Sequence, residues 1–286
     1  MFHLEDFISG EKFQELCDVY CGFDEDFKYN PRIESQTNKF IHLESLTSEW
    51  NNPQLLFCYS HRLHVFQEKV HLLKNPFVLV SHNEDTNITD TFIPLLEHPL
   101  LIKWFAQNQM ILHPKLHWLP IAIANTMWPH GNLDCLQYVL SFQESIPKTN
   151  DFYFFFSVYT NEPIRSSCKE VLSQKGLWFG EKQNYMSYLH NLSTHKFCIA
   201  PPGNGVDCHR IWECLYFGVV PILLRSRFTE IISQYFPCVL LNSWNDFDKE
   251  EILKNYNPDW IQKIQQSPFL NIQHWKSIIS EAIPHT

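Results

Sequence analysis

No apolar run in this 286-residue sequence approaches the roughly 20 residues that a helix needs to cross a membrane. The opening residues, Met1 to Asp6, lack a basic stretch followed by an apolar one, so no secretory signal is expected and a cytoplasmic location is. Positive charge is also short: 22 Lys and Arg stand against 31 Asp and Glu, a net charge of −9. That balance argues against a general binder of nucleic acid or anionic membranes, while leaving room for one local basic pocket. Internal repeats, heptads and low-complexity tracts are missing, which removes solenoids and coiled coils. Apolar side chains are plentiful. A hydrophobic fraction of 44%, with 23 Phe and nine Trp, implies a substantial core, and the length suits two compact α/β domains.

The nine cysteines do not form a disulfide framework in the sequence. Their number is odd, they are scattered, and Cys198, Cys214 and Cys238 sit in apolar runs, so reduced buried thiols are expected. Cys17 and Cys21 have four-residue spacing with no second pair to complete a zinc site. Asp24-Glu25-Asp26 and Asp246-Phe247-Asp248 have the Asp-x-Asp form that can hold a divalent ion. Neither closely follows an apolar strand. Both are read as solvated loop or helix-start charges, and no metal is expected.

Three of only eight glycines fall between Lys196 and Leu224. There an apolar run, Phe197 to Ala200, precedes Pro201-Pro202-Gly203-Asn204-Gly205. Asp207 is a candidate N-cap for a helix through about Phe217, Gly218 is placed to end it, and Val219 to Leu224 reads as the next strand. Strand, glycine loop, helix, strand is one unit of a parallel α/β sheet. A loop with little side-chain cover ahead of a helix N-terminus is an anion site. Arg210, one turn in, is placed to clamp a phosphate, and Glu213, three residues on, to accept from ribose hydroxyls. The plainer reading of that pair is an exposed ion pair. No Gly-Lys-Ser/Thr follows, so this is not a P-loop, and the glycine spacing is not the dinucleotide fingerprint.

Elsewhere the first 50 or so residues are polar and weakly periodic. Strands are expected at Leu55–Tyr59, Phe77–Val80, Trp118–Ala124, Phe152–Phe156 and Cys238–Leu241. Helical spacing marks His61–Leu73, Leu95–Gln107, Phe228–Tyr235, Asp246 onward with a break at Pro258, and Asn271–Ile283. Pro163 suits the first turn of a helix reaching about Gln174. Pro147-Lys148-Thr149-Asn150 reads as a linker, which divides the chain into domains 1–148 and 149–286.

The stretch around Arg210 resembles the nucleotide-sugar site of exostosin-family glycosyltransferases. Their pattern, P-x-G, then R-x-W-E, then G-x-x-P, is met here by Pro202, Gly203, Arg210, Trp212, Glu213, Gly218 and Pro221. His82, Asn83 and Asp85 match a His, Asn and Asp that follow a strand in that pattern, and residues 108–125 look like the family's middle region. The resemblance implies an α/β fold of two Rossmann-like domains facing across a cleft (the GT-B type), with the final helix, about 271–283, packing back on the first domain. It further implies an inverting transfer from a UDP-sugar to a hydroxyl of a glycan or glycoprotein. Family members with a membrane anchor differ from this chain, whereas the short soluble ones, including those of large DNA viruses, are similar to it.

On that reading Arg165, Pro202, Gly203, Asn204, Gly205, Asp207, Arg210 and Glu213 bind the nucleotide sugar, with Arg165 a second phosphate contact. The helix N-terminus and arginines carry the leaving-group charge without a cofactor or metal. The base that takes the acceptor proton is sought among Asp85, Glu84 and His82, in that order. The alternatives are that Asp85 caps a turn, Glu84 is solvated and His82 is structural. Of Trp104, Trp118 and Trp128, at least two belong to the core, and Trp128, beside Pro129, is the candidate acceptor platform. A non-catalytic nucleotide-sugar or glycan binder, a UDP-sugar epimerase and a phosphorylase stay open on the same fold.

Overall fold

The computed structural model describes residues 3–27, 36–46 and 55–283. It divides into two compact units. Ile8–Gly131 groups with the residues from Asn271 onward, and Asn132–Leu270 groups with the N-terminal residues to Phe7.

The unit containing residues 8–131 is built on six strands: β1 (Val19–Gly22), β2 (Phe40–His42), β3 (Leu55–Tyr59), β4 (Phe77–His82), β5 (Leu101–Ala106) and β6 (Leu116–Trp118). All pairings are parallel, in the order β2-β1-β3-β4-β5-β6. Parallel strands buried on both faces read as apolar runs, and every residue of β3 (LLFCY) and β4 (FVLVSH) is buried. One register row runs Tyr20, Phe57, Val80, Phe105 across four strands. The helices are short: α1 (Gly10–Glu15), α2 (Asp24–Phe27), α3 (Leu63–Lys69) and α4 (Ile93–Leu96). Gly10 on α1 lies so close to β4 that a Cβ there would collide with Asn83 Oδ1 and the His82 ring.

Several expectations are corrected here. Much of the supposedly weakly periodic beginning is folded: it supplies β1 and β2, although residues 28–35 and 47–54 lie outside the described residues. Leu95–Gln107 is not one helix but the end of α4 and the whole of β5, because Pro99 ends the helix and LIKWFA pairs between β4 and β6. The strand expected at Trp118–Ala124 is instead Leu116–Trp118. Pro120 cannot donate to a ladder, and Ala122 turns to φ 65°.

The other unit carries α5 (Leu133–Ser141), β7 (Asn150–Tyr153), α6 (Glu162–Gln174), α7 (Tyr185–Ser193), β8 (His195–Ile199), α8 (His209–Tyr216), β9 (Val220–Leu224), α9 (Arg227–Ile232), β10 (Val239–Leu241), α10 (Lys249–Lys254) and α11 (Asp259–Gln265). Its four strands are parallel in the order β10-β9-β8-β7. Residues 147–150, read as a linker, lie inside this unit. Lys148 is half-buried and its Nζ donates to the carbonyls of Ser193 (2.8 Å) and Phe217 (2.6 Å), the C-terminal ends of α7 and α8. Burial pulls its ammonium down to about 7.

The helix after Phe217 stops for a visible reason. Gly218 takes φ 62°, its N–H bonds Leu215 and the N–H of Val219 bonds Cys214, a Schellman arrangement. A Cβ on Gly218 would also sit 2.8 Å from Ile261 Cγ2. Finally, α12 (Ile272–Glu281) groups with the 8–131 unit, where Trp275 meets the rings of Phe13 at 5.9 Å and Trp118 at 5.0 Å edge-on. All nine cysteines are free thiols, six of them buried. No helix among the described residues is long and apolar enough to cross a membrane.

Candidate active site

In the 132–270 unit the loop Ala200–Cys208 leaves the C-terminal end of β8 and enters α8. Ligands of open parallel sheets bind at that end of the strands. Cys208, not Asp207, is the N-cap, and no side chain caps α8. Asp207 is buried instead, its Oδ1 accepting from Trp212 Nε1 at 2.8 Å, which corrects the capping role expected for it.

The loop is held from below by α6. Arg165, 9% exposed, donates from Nε to Pro202 O (2.8 Å), from Nη1 to Ser157 O (2.8 Å) and from Nη2 to Pro201 O (3.5 Å). Asn161 Nδ2 donates to Gly203 O at 2.7 Å. The structure thus brings Arg165, Pro202 and Gly203 together, but the guanidinium braces main-chain carbonyls. Asn204 is exposed at the tip of the loop, and Gly205 beside it is buried.

Arg210 and Glu213 point into a cluster of tyrosines. Arg210 is half-buried, donates Nη1 to Phe155 O, and lies over the rings of Tyr188 (5.4 Å) and Tyr153 (5.8 Å). Glu213 is buried and accepts from Tyr188 Oη at 2.6 Å. Burial pushes the Glu213 carboxyl up, against the opposing pull of the Tyr188 hydrogen bond and the Arg210 charge. The simple order of phosphate then ribose along α8 is not what these contacts present: Glu213 is already satisfied by protein, and Arg210 partly so.

In the 8–131 unit the strand order is 2-1-3-4-5-6, so the direction of winding reverses between β1 and β3. In open α/β sheets the C-terminal ends of the strands at such a reversal are where ligands bind. Asp26 follows β1 and His61 follows β3. His61 Nε2 lies 2.8 Å from Asp26 Oδ1. Asp26 Oδ2 accepts from the Phe23 amide (2.7 Å) and from Arg62 Nε (2.9 Å), and Arg62 Nη2 also reaches Glu25 at 2.7 Å. Burial works to raise the Asp26 carboxyl, but the His61 and Arg62 hydrogen bonds outweigh it and hold it down to about 2. Asp26 stands in the first turn of α2, the helix-start place expected for it, but it is buried rather than solvated, while Asp24 and Glu25 are exposed. Asp248 caps α10 and Asp246 closes a capping box with Ser243, which are helix-start roles.

The residues after β4 separate by role. His82 is buried; its Nε2 donates to Pro120 O (2.8 Å) and its Nδ1 accepts from the Asn83 amide (2.7 Å). Burial lowers it to about 4, and neither nitrogen is left for a substrate proton. Asn83, at φ 66°, links Gln14 Oε1 (2.9 Å) to Asn125 Nδ2 (3.1 Å). Glu84 is exposed, its Oε2 accepting from the Asp85 amide at 3.1 Å and its Oε1 lying 4.0 Å from His61 Nδ1. Asp85 is half-buried. Trp104 and Trp118 are core, whereas Trp128 is 51% exposed and stacks on His130.

The Asp26–His61 pair was missed in sequence because its members lie 35 positions apart and meet only through the pairing of β1 with β3.

No protein-family model matches the chain, and no curated protein sequence matches it significantly. Among solved structures, the pneumococcal O-GlcNAc transferase GtfA in complex with UDP and GlcNAc aligns with 11% identity and a TM-score of 0.39. The alignment covers 84% of this chain and 58% of that one, so the chain spans less than two thirds of that transferase's length.

Proposed function

We propose that the chain is a nucleotide-sugar-dependent glycosyltransferase of GT-B type, similar to the exostosin family, that inverts the anomeric centre and moves a sugar from a UDP-sugar to a glycan hydroxyl. The observation that carries the reading is the Ala200–Cys208 loop. It sits at the C-terminal end of β8, is braced by Arg165 and Asn161, and leads into the start of α8. Such a site favours a diphosphate through amides and the helix dipole. Arg165 then acts as the brace of the loop, and Arg210 adds positive charge near the helix start. The reading invokes no divalent cation, so turnover is expected to survive a chelator. Trp128 offers an exposed ring for an acceptor sugar.

Asn204→Asp tests this without disturbing the core, because Asn204 is exposed and the change is nearly isosteric. A carboxylate on the loop repels a diphosphate by about 1–2 kcal/mol. Calorimetry should show UDP binding weakened about 5- to 30-fold and uridine binding unchanged. Equal UDP affinity in Asn204→Asp and the natural chain rules the loop out as the phosphate site.

A further inference from the structure

We propose that the free edge of β10, with the acidic groove beside it, binds an extended basic segment of a partner protein as an additional strand. The site lies wholly in the 132–270 unit and stands apart from the transferase reading above. β10 ends the four-stranded sheet and pairs only with β9 among the described residues. Its register fixes which main-chain groups are spent. Leu241 pairs with Leu224, and its carbonyl accepts from the Arg225 N–H at 2.8 Å. Successive residues of a strand turn to opposite sides, so the N–H and C=O of Leu240 point away from β9. Neither meets a partner among the described residues, which leaves one donor and one acceptor open for a further strand.

A cavity of about 320 Å³ lies against β10, walled by Ile252 of α10 and Trp260 of α11. That volume is at the lower end for ligand sites, so it takes a few residues of an extended chain rather than a globular face. Asp246, Asp248 and Glu251 complete the lining, all three exposed. Asp246 and Asp248 each give one carboxylate oxygen to helix-start amides and keep the other. The ion pairs described in this unit run from Lys196 to Asp151 and from Arg225 and Arg227 to Glu230, so none neutralises the groove. Lys175, whose Nζ reaches Phe247 O at 2.9 Å, is committed to that carbonyl. The occupant follows from these features. Open main-chain groups at an edge select an extended backbone, the Ile252–Trp260 wall takes an aliphatic side chain, and the carboxylates select Lys or Arg. The same charges exclude a second copy of this chain, whose own edge would bring three more carboxylates against them.

The experiment uses the whole chain and a blocked peptide of alternating Lys and Val, about six residues long, the usual length of a strand. Calorimetry should show saturable binding, and hydrogen exchange should show the Leu240 amide protected by the peptide. A peptide of alternating Glu and Val should not bind. Nor should the fully N-methylated Lys-Val peptide, which keeps its side chains but has no N–H for the Leu240 carbonyl. Glu251→Lys reverses one charge on an exposed side chain and should weaken binding about fivefold. Leu240→Pro removes an N–H that the sheet does not use and should weaken binding about tenfold. Should that variant fail to fold, Glu251→Lys and the N-methylated peptide carry the test. Equal binding of the N-methylated peptide overturns strand addition, and equal binding by Glu251→Lys overturns the acidic groove. No binding up to about 1 mM peptide, or a dimer of the chain in sedimentation that the peptide does not dissociate, overturns the proposal.

Discussion

His82 gives the sharpest stability test. Its ring is buried, with Nε2 donating to Pro120 O and Nδ1 accepting from the Asn83 amide, and burial lowers it from 6.5 to about 4. In the unfolded chain it titrates near its ordinary value of about 6.5. Between those two values the unfolded state binds the proton and the folded state does not. Stability contributed by the neutral ring is therefore complete above about pH 6.5 and is lost as pH falls through the window to about 4. At pH 4.5 the linkage relation gives a loss of about 2.5 kcal/mol relative to pH 7. His82→Gln keeps a donor and an acceptor but has nothing to protonate. Urea unfolding of both proteins at pH 7, 5.5 and 4.5 should show the natural chain losing about 2.5 kcal/mol more than the variant across that range. Parallel losses in the two proteins would falsify the claim that a buried, uncharged imidazole holds the end of β4. Asp26 does not confuse the comparison, because its lowered carboxyl withdraws stability only below about pH 4 and is present in both chains.

Arg165→Lys keeps the charge but cannot span three carbonyls, so it should cost about 2–4 kcal/mol in urea unfolding and weaken UDP in parallel. Unchanged stability with lost UDP affinity would make Arg165 a phosphate ligand instead. Tyr188→Phe removes the hydroxyl that serves buried Glu213 and should cost about 1.5–3 kcal/mol at pH 8. Because the Glu213 carboxyl is raised, that cost should shrink as the solution is acidified and the carboxyl takes up its proton. Gly218→Ala forces a side chain into φ 62° and against Ile261, and should cost about 1–3 kcal/mol by thermal unfolding.

The segment from β8 to β9 was legible because its cues are local: an apolar run, a proline–glycine break, a helix ended by Gly218. Strands β1 and β2 were not, being four and three residues long amid polar neighbours whose burial comes only from pairing with β3 and each other. β5 was misassigned because Leu101–Ala106 carries no period that distinguishes a buried strand from a buried helix. For the candidate site, residue types near the glycine loop were readable, but their partners were not. That Arg165 would spend itself on Pro201, Pro202 and Ser157, and Glu213 on Tyr188, depends on where α6 and α7 lie. Asp26 was judged by its charged neighbours, yet its depth is set by Arg62 and the Phe23 amide.

The membership of α12 has a bearing on synthesis. Residues 8–131 leave the ribosome first, but the tryptophan that meets Phe13 and Trp118 arrives only after all of 132–270 has been made, on the order of 10 s later. During that interval two large aromatic rings lack their cover, and a nascent chain stalled before residue 271 is the species a chaperone would hold. Supplying residues 271–283 as a separate peptide to such a truncated chain should restore its protease resistance.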